Sequence, residues 1–116
     1  MKKTVYATLL VFIALLVGCS ATNSPTAAVR EYYRAIEKND MKALAKVTTP
    51  ETLKNLAQLG TKAQNHVIAL GKIQTMTEEI DDDTAVVTVI FENDEEEINV
   101  KKVDGKWKVS EWDSWY

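Results

Sequence analysis

Four groups of side chains in this 116-residue chain have the chemistry to form a functional site. They are the only cysteine (Cys19), the only histidine (His66), the tyrosines Tyr32 and Tyr33, and the acidic runs at residues 78–83 and 92–97. A thiol can be a nucleophile or a point of attachment, and a histidine can be a general base. A tyrosine hydroxyl can stabilise an oxyanion, and converging carboxylates can bind calcium. The elements around each group decide which of these chemistries is available.

Cys19 ends a segment that has the form of a secretory signal. Two lysines follow Met1, residues 5–17 carry no charge, and Gly18 precedes the cysteine. A membrane-spanning helix needs about 20 apolar residues, so this run is too short to cross a bilayer. The sequence LVGC at residues 16–19 resembles the lipobox of bacterial lipoproteins.

The lipobox resemblance implies a fate for Cys19. Signal peptidase would remove residues 1–18, the sulfur of Cys19 would carry a diacylglyceryl group, and the new amino terminus would often carry a further acyl chain such as palmitate. Residues 19–23 would form the lipidated cysteine and a short tether, and residues 24–116 the folded domain. We expect a protein anchored on the extracytoplasmic side of the bacterial cell envelope (outer membrane or outer face of the cytoplasmic membrane), without disulfides because no second cysteine exists.

The charge of the chain limits its partners. The formal net charge is −3, and loss of Lys2 and Lys3 with the signal changes it to −5. An acidic domain without a cluster of Lys and Arg is a poor candidate for nucleic acid or for an electrostatic grip on anionic lipid. The acyl anchor alone is expected to bind the membrane.

The first half of the domain has the signals of helices. Ser24-Pro25 reads as an N-cap followed by proline at the first helical position. Asp40 caps a second, shorter helix, and Thr49-Pro50 repeats the cap and proline at the start of a third. Gly60 either breaks the third helix or only loosens it before Val67. The first helix has an apolar stripe at i, i+3, i+4 and i+7: Val29, Tyr32, Tyr33 and Ile36.

The second half changes to the period of strands. Residues 73–80 form the first, and residues 85–91 are apolar on both faces, which predicts a central strand buried on two sides. Val103 falls out of phase with Ile98 and Val100, which predicts a bulge near residues 101–102. Asp104-Gly105 predicts a tight hairpin before the last strand. The order indicates an α+β fold, with three helices packed on a four-stranded antiparallel sheet.

The strings AAVREYYRAIEKNDMKALAKVTTPE and VKKVDGKWKVSEW resemble the start and the last hairpin of small bacterial domains in the cystatin-like, nuclear-transport-factor-like superfamily. The pattern is most similar to its lumazine-binding-like family of domains of unknown function. The resemblance covers roughly residues 24–112. It implies a curved sheet that wraps the first helix into a cone, whose open end is often a pocket.

The candidate pocket residues are Tyr32, Tyr33 and Ile36, with core packing as the alternative for the tyrosines. No carboxylate close to His66 in the sequence is recognisable as a partner that would orient its ring, so a surface or capping role is preferred for His66. The acidic runs lack the D-x-[DN]-x-[DN]-G spacing of a calcium loop. No catalytic residue, metal site or cofactor is therefore predicted.

The last residues are unusually aromatic. Trp112, Trp115 and Tyr116 either close the core and cover the sheet edge, or contact a partner, a ligand or the bilayer interface. The function expected is a non-catalytic, membrane-anchored binding domain for a protein partner, slightly favoured, or for a small apolar ligand. The alternatives are a small isomerase or dehydratase and an accessory envelope protein. A cavity above roughly 300 Å³, lined by a tyrosine and a buried carboxylate, would favour ligand or enzyme.

Overall fold

The computed structural model describes residues 22–110. Four helices precede four strands in this part of the chain, which confirms the α+β class. The elements are α1 (Pro25–Glu37), α2 (Met41–Val47), α3 (Pro50–Leu59), α4 (Thr61–Leu70), β1 (Ile73–Asp81), β2 (Thr84–Phe91), β3 (Glu95–Val103) and β4 (Lys106–Val109). None of these helices is long and apolar enough to span a membrane.

The first three helices begin at the residues predicted to cap them. The Ser24 hydroxyl accepts the N–H of Ala27 at 3.1 Å, and the Asp40 carboxylate accepts that of Ala43 at 3.1 Å. The Thr49 hydroxyl lies 3.4 Å from the N–H of Thr52. Each cap satisfies a backbone donor that has no partner inside the helix, so these starts are determined locally.

Gly60 breaks the third predicted helix in two. Its φ of +58° lies in the left-handed region that glycine adopts readily, and its N–H closes the last turn of α3 on the carbonyl of Leu56. The next helix, α4, begins at Thr61 with no side-chain cap. The domain thus has four helices over residues 22–110 where three were predicted.

The four strands form an antiparallel meander in the order β1-β2-β3-β4. Asp104 and Gly105 have φ values of +54° and +79°, which confirms the predicted hairpin turn. The prediction that β2 is buried on both faces is wrong. Its inner face, towards α1, is buried, whereas Ile90 on the outer face is 40% exposed, so only one face of the sheet is covered by helices over the described residues.

The predicted bulge near residues 101–102 is also absent. The pairing of β3 with β4 is regular through these residues, and the only register irregularity in the described sheet separates Ile73 from Thr75 in β1. Lys102 keeps the inner-face phase of Ile98 and Val100, and its ammonium lies 5.4 Å from the ring centre of Trp107. Lys102 thus occupies an inner-face position where alternation predicts an apolar residue, and its side chain covers the buried Trp107.

The core lies between α1 and the inner face of the sheet. The apolar stripe predicted on α1 is buried at all four positions, from Val29 to Ile36. It packs on alternate residues of the strands, among them Val87, Ile98 and Val109. This packing places one side of Tyr33 against the ends of β2 and β3, where the candidate site lies.

Candidate functional site

Glu96 is an acidic residue on the inner face of the sheet. It shares that face with Ile98 and Val100, because alternate residues of a strand point the same way. Its side chain is 15% exposed. A carboxylate in this position needs hydrogen-bond partners, since burial without them is costly.

Tyr33 and His66 supply those partners. The Tyr33 hydroxyl donates to Oε1 of Glu96 at 2.5 Å, and Nε2 of His66 lies 2.5 Å from Oε2. The side chain of His66 is 32% exposed. The expectation that no carboxylate orients His66 is thus wrong: Glu96 does so across 30 positions of sequence.

The chemistry of this cluster follows from the donors and acceptors. An ionised carboxylate only accepts hydrogen bonds, so Nε2 of His66 carries a proton whenever Glu96 is charged. That contact fixes the orientation of the ring and makes Nδ1 the acceptor nitrogen of the neutral imidazole. A histidine oriented by a carboxylate is suited to general acid–base chemistry.

A cleft of about 410 Å³, which Tyr33 lines and Glu96 and His66 do not, opens between α1, α4 and the start of β1. Its floor is apolar: Tyr33, Val67, Ile68, Ile73 and Phe91. The rings of Tyr33 and Phe91 meet edge to face, with centroids 4.9 Å apart. Tyr33 thus contributes its ring to the cleft while its hydroxyl binds Glu96.

The rim of the cleft is charged. It carries Arg30, Arg34, Glu37, Lys72 and Glu92. The guanidinium of Arg34 binds the carboxylate of Glu31 through two hydrogen bonds of 2.7 and 2.5 Å, which raises the pKa of Arg34 and lowers that of Glu31. Arg34 therefore stays protonated, and the carboxylate of Glu31 compensates part of its charge.

Two carboxylates near the cleft, those of Asp40 and Glu92, also have partners within the domain. Asp40 lies 3.6 Å from Arg34, and its pKa is lowered chiefly by the hydrogen bond from the backbone of Ala43 and also by the Arg34 charge. Oε1 of Glu92 accepts the N–H of Lys72 at 2.8 Å. These contacts hold Arg34 next to Asp40 and the Glu92 carboxylate against the backbone of Lys72.

The three predicted pocket residues separate in the structure. Tyr33 lines the 410 Å³ cleft, whereas Ile36 lines a different groove of about 240 Å³ between the helices. Tyr32 is 1% exposed and belongs to the core. Cys19, Trp112, Trp115 and Tyr116 lie outside the described residues.

Glu96 itself was missed. It stands within the acidic run of residues 92–97, where turns and solvent exposure were expected. The available signal was its phase with Ile98 and Val100, which places it on the buried face. Over residues 22–110, no three His, Cys, Asp or Glu side chains are grouped to hold a metal ion.

Comparisons with known proteins place no family name on the chain. No protein-family model and no curated protein matches it. Among solved structures, Rv3472, a protein of unknown function from Mycobacterium tuberculosis, is a weak neighbour with a TM-score of 0.46 and 19% identity. The alignment covers 72% of this chain and 64% of that one, and a likeness of this degree carries no inference about function.

Proposed function

We propose that this protein is a lipid-anchored envelope lipoprotein of the cystatin-like, lumazine-binding-like type, whose domain binds a small ligand with an apolar body. The observation that carries the binding role is the cleft at Tyr33. Its volume of about 410 Å³ and its aromatic and aliphatic floor match the usual size and lining of small-molecule sites. The proposal of a lipid anchor is supported by the sequence around Cys19 alone.

Replacing Cys19 by serine is expected to abolish processing and lipidation, since serine has no thiol to accept the diacylglyceryl group. The measurement is radiolabelled fatty-acid incorporation and intact mass in a bacterial host that processes lipoproteins. Ser20→Ala is the control and should mature normally. If the Cys19→Ser protein is still cleaved and labelled, the lipoprotein proposal fails.

Filling the cleft with a larger side chain is expected to expel its ligand. Ile68 lines the cleft and is 55% exposed, so Ile68→Trp should occupy the space without disturbing the core. Ile80→Trp is the matched comparison, because Ile80 is 53% exposed and lines a different cleft, of about 550 Å³, at the far end of β1.

The measurement is mass analysis of small molecules that remain bound to the full-length protein purified from its own envelope. Wild type and Ile80→Trp should retain the same molecule, and Ile68→Trp should lose most of it. Equal recovery from both tryptophan variants would exclude the Tyr33 cleft as the binding site.

A small enzyme of the isomerase or dehydratase type is the second candidate. The contact of Glu96 with His66 favours it, because it orients a histidine, and Glu96 also binds Tyr33, whose ring lines the cleft. An enzyme would return the recovered ligand chemically changed, and that change would require His66. A binding protein would return it unchanged.

A further inference from the structure

Three lysines share the outer face of the β3–β4 hairpin. Lys101 lies directly opposite Lys108, and Lys106 lies opposite Val103 on the same face. We call Lys101, Lys106 and Lys108 the lysine patch. The expectation that the domain has no cluster of basic residues is therefore wrong, because the register of the hairpin creates one.

The patch is not compensated by ion pairs. Like charges directly opposite each other destabilise a sheet, and no carboxylate within residues 22–110 lies within 4.0 Å of these ammonium groups. Asp104 stands in the hairpin turn, and residues 81–83 form the β1–β2 turn. Asp81 pairs with Thr84, which in turn pairs with Lys101, so Asp81 and Lys101 are two strand spacings apart, roughly 10 Å. That distance is about one Debye length at physiological salt, so the attraction between the two charges is largely screened.

The chain just after Cys19 is attached beside this hairpin. The N–H of Trp107 in β4 donates to the carbonyl oxygen of Thr22 at 3.1 Å. Cys19 is three residues before Thr22, a distance of at most about 11 Å when fully extended. Wherever Cys19 is held, the β3–β4 hairpin must be close.

We propose that the lysine patch contacts the anionic headgroups of the membrane in which Cys19 is anchored. This inference rests on the proposed lipidation. The lipid determines which end of the domain meets the bilayer, and the patch adds an electrostatic attraction to that contact. Each lysine close to an anionic surface strengthens the binding of the protein to that surface about fivefold. An acyl anchor combined with a basic patch provides two membrane signals.

The test uses the lipidated, full-length protein in two kinds of vesicle, one of phosphatidylcholine alone and one with added phosphatidylglycerol. An amine-reactive reagent labels the lysines, and peptide mass analysis gives the rate at each. The three patch lysines should react about fivefold more slowly in the anionic vesicles, and 1 M salt should remove the difference because the Debye length falls to about 3 Å. The exposed lysines Lys38 and Lys62 are the control and should not change, because they lie near the C-terminal end of α1, about 20 Å along the helix from the end that Thr22 precedes.

Three outcomes would overturn the proposal: equal rates in the two vesicles, protection of Lys38 and Lys62 instead, or the same protection in neutral detergent, which would indicate contact between protein copies. An unlipidated Cys19, seen by intact mass before the vesicle step, would defeat the proposed function as well. A lipidated protein without protection would defeat only this inference. The variant with Lys106→Gln and Lys108→Gln should fold, since it removes the repulsive Lys101–Lys108 pair, and should weaken the protection of Lys101 in the anionic vesicles; unchanged protection of Lys101 would count against the patch.

Discussion

Replacing Gly71 by alanine is expected to lower the free energy of unfolding by roughly 3 kcal/mol. Gly71 has φ +84° and ψ −161°, a region that is essentially restricted to glycine and costs about 1–3 kcal/mol for other residues. An added Cβ would also lie 2.8 Å from Oε1 of Glu92 and 3.0 Å from its Cβ. Glu92 cannot easily withdraw, because that same oxygen accepts the N–H of Lys72.

The effect should extend to the site, since Gly71 joins α4 to β1 at the edge of the cleft. Beside it, the N–H of Asn93 donates to the carbonyl of Leu70 at 3.0 Å, and the N–H of Glu92 to that of Lys72 at 2.9 Å. A shift of this junction would move the end of α4 away from the β2–β3 turn.

Urea unfolding followed by far-UV circular dichroism measures the change, with Gly105→Ala as the control. Gly105 has a similar φ of +79°, but an added Cβ would meet nothing within 4 Å. Gly105→Ala should therefore cost only the backbone strain. Equal losses in the two variants would contradict a role for the close approach to Glu92.

Replacing Glu96 by alanine is expected to lower the free energy of unfolding by about 2 kcal/mol. The change leaves the Tyr33 hydroxyl and Nε2 of His66 without the carboxylate that both contact, and a buried polar group without its partner costs about 1–3 kcal/mol. Glu96→Gln is the matched control, because an amide of the same shape can still accept one hydrogen bond and donate another. It should lose less than the alanine variant.

A double-mutant cycle with Tyr33→Phe separates the contact from general packing. Tyr33→Phe keeps the ring against Phe91 and removes only the hydroxyl. The Tyr33→Phe and Glu96→Ala changes should couple by about 1 kcal/mol, since residues in contact are not additive. Additive losses would show that the Tyr33–Glu96 hydrogen bond contributes nothing to stability.

Much of the fold could be predicted because its signals are local. Ser24, Asp40 and Thr49 cap helices through contacts with residues three positions away, and Asp104-Gly105 closes a turn through its own backbone angles. The stripe on α1 needs only the helical period to be visible. Gly60 remained ambiguous because a glycine in a helical pattern breaks or loosens the helix according to the packing around it.

Local sequence patterns do not predict which face of the sheet is covered by other elements. Alternation in β2 identifies the inner face correctly, but it also predicts burial for the apolar residues of the other face, such as Ile90, which is 40% exposed. Periodicity states which residues share a face and does not state whether anything covers that face. The bulge predicted near residues 101–102 is absent for a related reason: the stem and charge of Lys102 cover Trp107, so no apolar residue is required at that inner-face position.

The sequence by itself determined the α+β class, the starts of the first three helices, the strand order and, through the residues around Cys19, the expectation of a lipid anchor. Only the tertiary structure decided the site. Tyr33 and Glu96 are 63 positions apart, and no local period relates a residue on α1 to one on β3. The lysine patch likewise exists only through cross-strand register. Contacts between elements depend on how helices cross the sheet and on which strands pair, and those choices arise from the whole core rather than from any one segment.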